Sequence, residues 1–346
     1  MQTIISKIDS NDIDKNELKK HSELLKNGET VIFPTETVYG LGANALDENA
    51  VKKIYEAKGR PSDNPLIVHI HNKDLIYDLS KDIDDKAKKV IDKFWPGPLT
   101  VILKKNDKVP KTTTGGLDTV AIRMPKNDIA LELLRECNLP IAAPSANISG
   151  KPSPTNGKHV VDSMNGRVAG IIIGDDCDYG LESTVVDFTE EIPMILRPGS
   201  ITKKDLENVI GKVEIDPSLL NHEDNKKAKA PGMKYKHYSP DAEVFIVSGK
   251  NDDVIEKINS LIDENDKNGL KSGVLCLEKN KKKYKGKVIS LGENFKEVGR
   301  NLFNSLITMD NEKINVVYSE EFLDDEVGMA IMNRLLKSSG YKVIRV

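Results

Sequence analysis

Residues 58–65, KGRPSDNP, carry two cations on either side of a glycine, in a turn that two prolines restrict. Arg presents a planar fork of N–H donors to phosphate oxygens, and Lys presents a compact point charge. Both types also stabilise the C-terminal end of a helix through the helix dipole, so a purely structural role is the alternative. The segment therefore predicts an anion-binding turn, because the prolines fix a loop that would otherwise move.

Residues 143–150, APSANISG, follow an apolar run of strand length. Loops after buried strands are the usual ligand-binding places of α/β sheets. Small hydroxyl and amide groups at such a place suit phosphate capping or base recognition. An ordinary turn of Asn, Ser and Gly is the alternative interpretation.

Residues 34–42, PTETVYGLG, place hydroxyls, one carboxylate and two glycines after a strand that ends at proline. The glycines let the backbone approach a ligand closely, while a Thr-rich turn explains the same residues equally well. Arg123 lies within TVAIRMP, where a charge among apolar neighbours needs a partner or a ligand. His69 and His71 lie two apart without an evident third metal ligand, so polar roles are favoured over a metal site.

The common nucleotide-binding motifs are missing from the sequence. It contains no G-x-x-x-x-G-K-[ST] loop. Gly40 and Gly42 begin a partial dinucleotide fingerprint, but Ala45 occupies its last glycine position and the segment starts well after the preceding strand. The sequence therefore favours a nucleotide site of another kind over a dinucleotide-binding unit at residues 40–45.

The elements that must position these residues alternate along the first 215 residues. More strands than helices are predicted, which favours an open, twisted α/β sheet of mixed direction. Residues 112–116, TTTGG, predict a flexible loop. The predicted helices are 17–27, 48–58, 85–94, 129–137 and one from Thr202 to Gly211, and the predicted strands are 30–33, 66–70, 99–103, 119–124, 140–143, 170–174, 183–188 and 194–197.

The polar segment 216–241, with Pro and Gly and little periodicity, predicts a linker between two domains, 1–215 and 242–346. In the second domain, helical patterns alternate with short strands rich in Val and Ile. This pattern predicts a small parallel sheet covered on both faces, a doubly wound Rossmann-like domain.

Composition narrows the class of protein further. The chain has 346 residues, a length that favours two domains, and a formal net charge of −3 gives no overall attraction to nucleic acid or membrane. Its three cysteines are far apart and odd in number, so we expect a reducing, cytoplasmic location without a disulfide framework. No apolar run approaches the length of a transmembrane helix, and no signal peptide is apparent.

The order of the motifs is the most specific signal in the chain. PTETVYGLG, KGRPSDNPLIVHI, FWPGPLT, VAIRMP, APSANISG, ESTVVD and LRPG follow one another as they do in the YrdC-like family. GMKYKHYSP and the α/β region ending NRLLKSSG resemble the long, two-domain form of the L-threonylcarbamoyladenylate synthases. The resemblance covers nearly the whole chain.

The resemblance implies a YrdC-like twisted mixed sheet with a large open cavity, over which the linker with His237 and Tyr238 closes. It implies that a tetrad holds the nucleotide, with Lys58 and Arg60 also serving the reaction. Members of the family bind L-threonine in the same cavity. The residues implied for ATP are Lys58, Arg60, Asn64, Thr119, Ser145, Asn147, Ser153, Arg197 and Tyr238, of which the tetrad is Lys58, Arg60, Ser145 and Asn147, and those implied for threonine are Thr35, His69, Arg123 and Ser183.

The implied reaction joins L-threonine, bicarbonate or CO2, and ATP into threonylcarbamoyl-AMP and pyrophosphate, for the threonylcarbamoyladenosine modification of tRNA. Mg²⁺ is expected with ATP, with no protein metal site and no organic cofactor, and a tRNA threonylcarbamoyl transferase machinery is the expected downstream partner. A rival interpretation of the same fold is a module that binds double-stranded RNA, by phosphate contacts that weaken with salt. A second rival is the YrdC-like module of hydrogenase maturation proteins, whose additional domains are not apparent here.

Overall fold

The computed structural model describes residues 2–219, 237–323 and 327–346, and these form two compact units. The second unit contains residues 150–153 and 179–181 as well as the chain from residue 237. Most of the predicted linker, residues 220–236, lies outside the described residues. The predicted domain boundaries at 215 and 242 therefore stay predictions.

The first unit is built on a mixed sheet that has twelve strands among the described residues. Their order is β1-β9-β2-β3-β8-β4-β7-β6-β10-β11-β12, with β5 beside β6. The strands are β1 (Ile4–Lys7), β2 (Val31–Phe33), β3 (Gly40–Asn44), β4 (Ile67–His69), β5 (Ser80–Lys81), β6 (Leu99–Lys105), β7 (Thr119–Arg123), β8 (Ile141–Ala142), β9 (Gly170–Ile173), β10 (Thr184–Asp187), β11 (Met194–Arg197) and β12 (Glu214–Ile215). Parallel and antiparallel pairs both occur, which confirms the predicted mixed sheet.

The helices of the first unit pack apolar faces on this sheet and begin at polar caps. Asp14, Asp47 and Thr202 each cap the N-terminal end of a helix. Thr202, the predicted first residue of the last helix in this unit, also forms a capping box with Asp205. The helices are α1 (Lys15–Lys26), α2 (Glu48–Lys58), α3 (Ile76–Leu79), α4 (Asp85–Phe94), α5 (Lys111–Thr114), α6 (Asp128–Cys137), α7 (Gly157–Met164) and α8 (Lys203–Ile210).

Two local predictions were wrong. Residues 112–116 are not a flexible loop, because α5 takes up residues 111–114 and the Thr113 hydroxyl, which is buried, donates to the Ala45 carbonyl at 2.7 Å. Residues 40–44 form the strand β3, which is missing from the predicted strands. A Cβ atom at Gly42 would lie 2.7 Å from both Phe33 and Ile141, so close packing of the strand requires glycine there.

The second unit has a five-stranded sheet in the order β15-β14-β16-β13-β17, and every neighbouring pair is parallel. This confirms the predicted parallel sheet. Its strands are β13 (Glu243–Ser248), β14 (Ser272–Cys276), β15 (Lys287–Ser290), β16 (Val316–Glu320) and β17 (Val343–Arg345), and its helices are α9 (Asn251–Lys267), α10 (Phe295–Asn311) and α11 (Val327–Ser338). None of the helices in the described ranges is long and apolar enough to cross a membrane.

Candidate functional site

Lys58 joins the two segments that the sequence singles out for phosphate binding. It is the last residue of α2, which ends because Gly59 takes the left-handed conformation with φ 59°. The buried ammonium donates to the main-chain carbonyls of Ser145 at 2.5 Å and Asn147 at 2.6 Å. The Ser149 N–H donates back to the Lys58 carbonyl at 2.9 Å. The two segments are therefore held together at one place by hydrogen bonds.

Side-chain contacts add to the hydrogen bonds between the two segments. The Ser145 hydroxyl donates to Asn147 Oδ1 at 2.5 Å, and Lys58 Nζ lies 3.4 Å from the same oxygen. Burial lowers the pKa of Lys58 well below its ordinary value, the Arg60 charge lowers it further, and Glu182 opposes both effects. An anion that entered beside Lys58 and Arg60 would therefore relieve an unfavourable electrostatic arrangement.

Tyr55 holds the turn after α2. Its hydroxyl lies 3.1 Å from the carbonyl oxygens of both Asn64 and Thr112. The Asn64 side chain is fully buried, and neither its Oδ1 nor its Nδ2 has a hydrogen-bond partner within the described parts of the chain. A buried amide without partners is costly, so this group is suited to receive a ligand.

Arg123 ends β7 and faces His69 of β4 in the parallel register. Its Nη1 donates to Thr37 Oγ1 at 2.9 Å, its Nε contacts the Gly97 carbonyl at 3.4 Å, and its Nη2 lies 2.7 Å from Glu36 Oε2. The partner that the sequence demanded for this buried cation is therefore Glu36, which is itself 2% exposed.

The Thr35 hydroxyl is used by its own turn. It accepts the N–H groups of Thr37 at 3.2 Å and Val38 at 3.3 Å, and it donates to the Val38 carbonyl at 2.6 Å. Thr37 Oγ1 lies 3.0 Å away and also accepts from Arg123. Because the Thr35 hydroxyl makes these bonds, it orders the turn of residues 35–38, which lies against Arg123.

His69 is neutral at physiological pH. Burial, followed by the Arg123 charge, lowers its pKa to about 3. Nδ1 lies 3.2 Å from the Ile67 carbonyl, so Nδ1 carries the proton and Nε2 is an acceptor. No cluster of three His, Cys, Asp or Glu side chains suited to a metal ion occurs among the described residues, His71 included.

Ser183 and Arg197 lie next to the Arg123 cluster. Arg197 Nε donates to the Ser183 carbonyl at 3.0 Å, and its Nη2 donates to the Ser183 hydroxyl at 3.1 Å. That hydroxyl lies 2.8 Å from Thr100 Oγ1, and Thr100 faces Arg123 in the antiparallel register. The fold thus connects one predicted ATP residue to the predicted threonine residues.

Three predicted site residues are not brought into these contacts. Thr119 begins β7 and lies about 13 Å along the strand from Arg123 at its end. Ser153 and Tyr238 belong to the second unit, where the Tyr238 ring stacks on Phe303 at 5.0 Å. Their predicted contacts with ATP stay predictions.

Sequence reasoning missed the positioning residues. Glu36 and Thr37 lie inside the PTET motif but were given no role, and Glu182 lies inside the ESTVVD motif. Tyr55 and Thr100 carried no signal, because the first looks like a core residue of α2 and the second like a strand residue of β6.

Comparison with protein families gives two matches that together span most of the chain. Residues 23–199 match the Sua5/YciO/YrdC family model, described as telomere recombination. Residues 201–340 match the model described as the C-terminal domain of threonylcarbamoyl-AMP synthase.

Individual relatives agree with these matches. The chain is 49% identical over 323 residues to the threonylcarbamoyl-AMP synthase of Pyrococcus abyssi, covering 93% of this chain and 94% of that protein. It is 48% identical over 333 residues to the Bacillus subtilis protein of the same name, covering 95% and 94%. A crystal structure of P. abyssi Sua5 complexed with L-threonine superposes with a TM-score of 0.95 at 47% identity, covering 99% of this chain and 100% of that one.

Proposed function

The chain belongs to the Sua5/YciO/YrdC family in its long, two-domain form, and from this premise we propose that it is a threonylcarbamoyl-AMP synthase. The proposed reaction joins L-threonine, bicarbonate or CO2, and ATP, and releases pyrophosphate. The main support from the structure is the contact of the buried Lys58 with the Ser145 and Asn147 carbonyls. This contact places a desolvated cation among hydroxyl and amide groups, as a nucleotide phosphate site requires.

At the nucleotide end, Lys58 and Arg60 stabilise negative charge on the phosphates. The Asn64 amide, which has no partner within the described parts of the chain, supplies a donor and an acceptor. Ser145 and Asn147 complete the site. The anion also favours the charged form of Lys58, which burial otherwise disfavours.

At the threonine end, Arg123 pairs with the substrate carboxylate, and the neutral His69 accepts a hydrogen bond at Nε2. Thr35 and Ser183 shape the site, and the hydroxyl of Ser183 reaches both Arg197 and Thr100. Because these groups are buried, a short-lived carbamate formed there would be protected from water.

The proposed chemistry needs no covalent enzyme intermediate. The deprotonated threonine amine attacks carbon dioxide with release of a proton, or bicarbonate with release of water, to give a carbamate. A carbamate oxygen then attacks the α-phosphorus of ATP. Pyrophosphate leaves with the electron pair of the broken P–O bond. Holding the reactants together supplies much of the rate advantage, and Lys58 with Arg60 stabilises the developing charge.

Mg²⁺ is proposed to enter with ATP and to neutralise phosphate charge. Lys58, Arg60, the Ser145 hydroxyl and the Asn147 amide offer N–H and O–H groups that can hold phosphate oxygens. Delivery of the product to a tRNA threonylcarbamoyl transferase machinery, and a cytoplasmic location, stay predictions.

Pyrophosphate release tests the proposal directly. With ATP, Mg²⁺ and bicarbonate present, release should depend on L-threonine, and Lys58→Ala should abolish it. Lys88→Ala is the matched control, because Lys88 is an exposed α4 lysine whose ion pair with Asp85 is a surface contact. Release that ignores threonine, or that survives Lys58→Ala, would contradict the proposal.

If no release occurs and duplex RNA binds with steep salt dependence, the RNA-binding interpretation replaces the enzymatic one. The need for the second unit is tested separately. A fragment of residues 1–215 that forms the adenylate at the full-length rate would show that the rest of the chain is dispensable for chemistry.

A further inference from the structure

Glu36 is a buried carboxylate that the proposed reaction does not yet use. It is 2% exposed, and neither carboxylate oxygen has an aligned hydrogen-bond donor in the described ranges 2–219, 237–323 and 327–346. Arg123 Nη2 lies 2.7 Å from Oε2, close enough for an ion pair but without hydrogen-bond alignment. A buried charge held by one partner and few hydrogen bonds is costly to the fold.

Glu36 carries the negative charge that is paired with Arg123, because several neighbouring side chains are neutral. Burial keeps His69 neutral, with a pKa of about 3, and burial raises the pKa of Cys177 so that its thiol is neutral as well. Thr37, which also binds Arg123, carries no charge. Glu36 and Arg123 therefore form a pair of zero net charge, and charges added beside them are weakly screened because both side chains are buried.

Resting on the proposed function, we propose that Glu36 is a positioning and specificity-determining residue of the threonine site. It fixes the Arg123 guanidinium, and it supplies the negative charge that selects an α-ammonium next to an α-carboxylate. The substrate carboxylate on Arg123 brings the ammonium, which is bonded to the adjacent carbon, close to the Arg123–Glu36 pair. Threonine is a zwitterion, so its binding leaves the net charge beside the Arg123–Glu36 pair unchanged.

Without the charge of Glu36, Arg123 loses the ion-pair partner that it has among the described residues. The preference should then shift toward a ligand with a carboxylate and no ammonium, because only such a ligand replaces the negative charge that Glu36 supplied. A residue with a merely structural role would weaken both kinds of ligand by the same factor. The difference between the two ligands therefore separates charge selection from loss of structure.

The experiment measures the affinity of the full-length protein for two probes by titration calorimetry. One probe is L-threonine, and the other is (R)-3-hydroxybutanoate, which is threonine without its ammonium. The wild type should prefer threonine strongly. Glu36→Gln, which keeps the shape and removes the charge, should reduce that preference roughly tenfold, within the range of couplings between interacting groups.

Thr37→Val is the matched variant, since it removes another partner of Arg123 without changing any charge. It should weaken both probes equally and leave the preference as in the wild type. ATP affinity, measured on each variant, reports whether the rest of the site is intact.

Equal weakening of both probes by Glu36→Gln would overturn the inference. So would a wild type that binds (R)-3-hydroxybutanoate as tightly as threonine, a result that needs no variant to fold. A wild type that binds neither threonine nor ATP would instead contradict the proposed function.

Discussion

The ammonium of Lys58 donates a hydrogen bond to the main-chain carbonyl of Ser145 at 2.5 Å, across 87 residues of sequence. The cation thereby holds the APSANISG loop against the end of α2. It does so inside the protein, where burial and the Arg60 charge lower its pKa. The same lysine thus organises the site and carries an ammonium whose charged form burial disfavours, and which an anionic ligand would stabilise.

Nucleotide binding should be linked to proton uptake at Lys58. In the free protein its pKa is lowered, and phosphate oxygens favour the charged form and raise it again. Above the lowered pKa the lysine of the free protein is neutral, so ATP affinity should fall as pH rises. Titration calorimetry in buffers of different ionisation enthalpy should reveal the proton taken up.

Lys58→Arg is the control for this linkage. The guanidinium stays charged throughout the accessible range, so the alkaline loss of affinity should flatten even if overall affinity is lower. An unchanged pH profile in Lys58→Arg would assign the proton to another group.

Tyr55→Phe should weaken ATP binding more than threonine binding. The phenol oxygen lies 3.1 Å from the carbonyls of Asn64 and Thr112, and it thereby joins the turn after α2 to residue 112. Loss of one buried hydrogen bond costs about 1 kcal/mol, enough for a several-fold rise in the ATP KM. The threonine KM should stay near that of the wild type. Steady-state kinetics with each substrate varied in turn checks both values, and a parallel rise would refute the assignment.

Local chemistry explains why many element bounds were predictable. The predicted helices 48–58 and 85–94 coincide with α2 and α4, since apolar spacing and a following Gly or Pro mark their extent in the sequence. The helices and strands of the second unit were equally predictable, because helical apolar spacing alternates there with short strands rich in Val and Ile.

Elements made by tertiary contacts were missed. β3 begins GLG, which has no strand signature, and it forms because Gly42 fits between Phe33 and Ile141. The single turn of α5 exists where Thr113 reaches Ala45. For the site, the motifs identified Lys58 and Ser145, but the pairing of Arg123 with Glu36 depends on three-dimensional packing that spacing does not encode.

Glu320→Ala should loosen one edge of the second unit. The Glu320 carboxylate accepts from the Leu277 N–H at 2.9 Å, from Asn280 Nδ2 at 2.7 Å and from the Tyr284 hydroxyl at 2.7 Å. The variant removes the acceptor of these three hydrogen bonds. Each buried donor that loses its acceptor lowers the free energy of unfolding by about 1–3 kcal/mol. Hydrogen exchange read by mass spectrometry should show faster exchange in residues 272–290.

Glu312→Ala is the matched control for this variant, since the described contact of the Glu312 side chain is an exposed ion pair with Lys287. Its exchange rates should match the wild type. Unchanged protection of residues 272–290 in Glu320→Ala would show that the carboxylate is not the anchor of this edge.

The first unit should lose stability on the acid side through His69. Its pKa is about 3 in the folded protein and near 6.5 when unfolded, so below pH 6.5 the unfolded chain binds a proton that the folded chain rejects. The contribution of the neutral His69 to the free energy of unfolding is fully present above pH 6.5. It is lost as pH falls, by up to about 1.4 kcal/mol per pH unit. Trp95, the single tryptophan, is buried in the first unit and reports its unfolding by fluorescence.

His69→Asn removes the titrating ring and keeps an N–H donor. Denaturant unfolding of the variant, followed through Trp95 between pH 5 and 6.5, should therefore show a shallower loss of stability than the wild type. Part of the slope should persist, because burial also lowers the pKa of His21, to about 4, and that group remains. If the two pH profiles ran parallel, His69 would have to be charged already in the folded protein, and its proposed role as a neutral acceptor for threonine would fail with it.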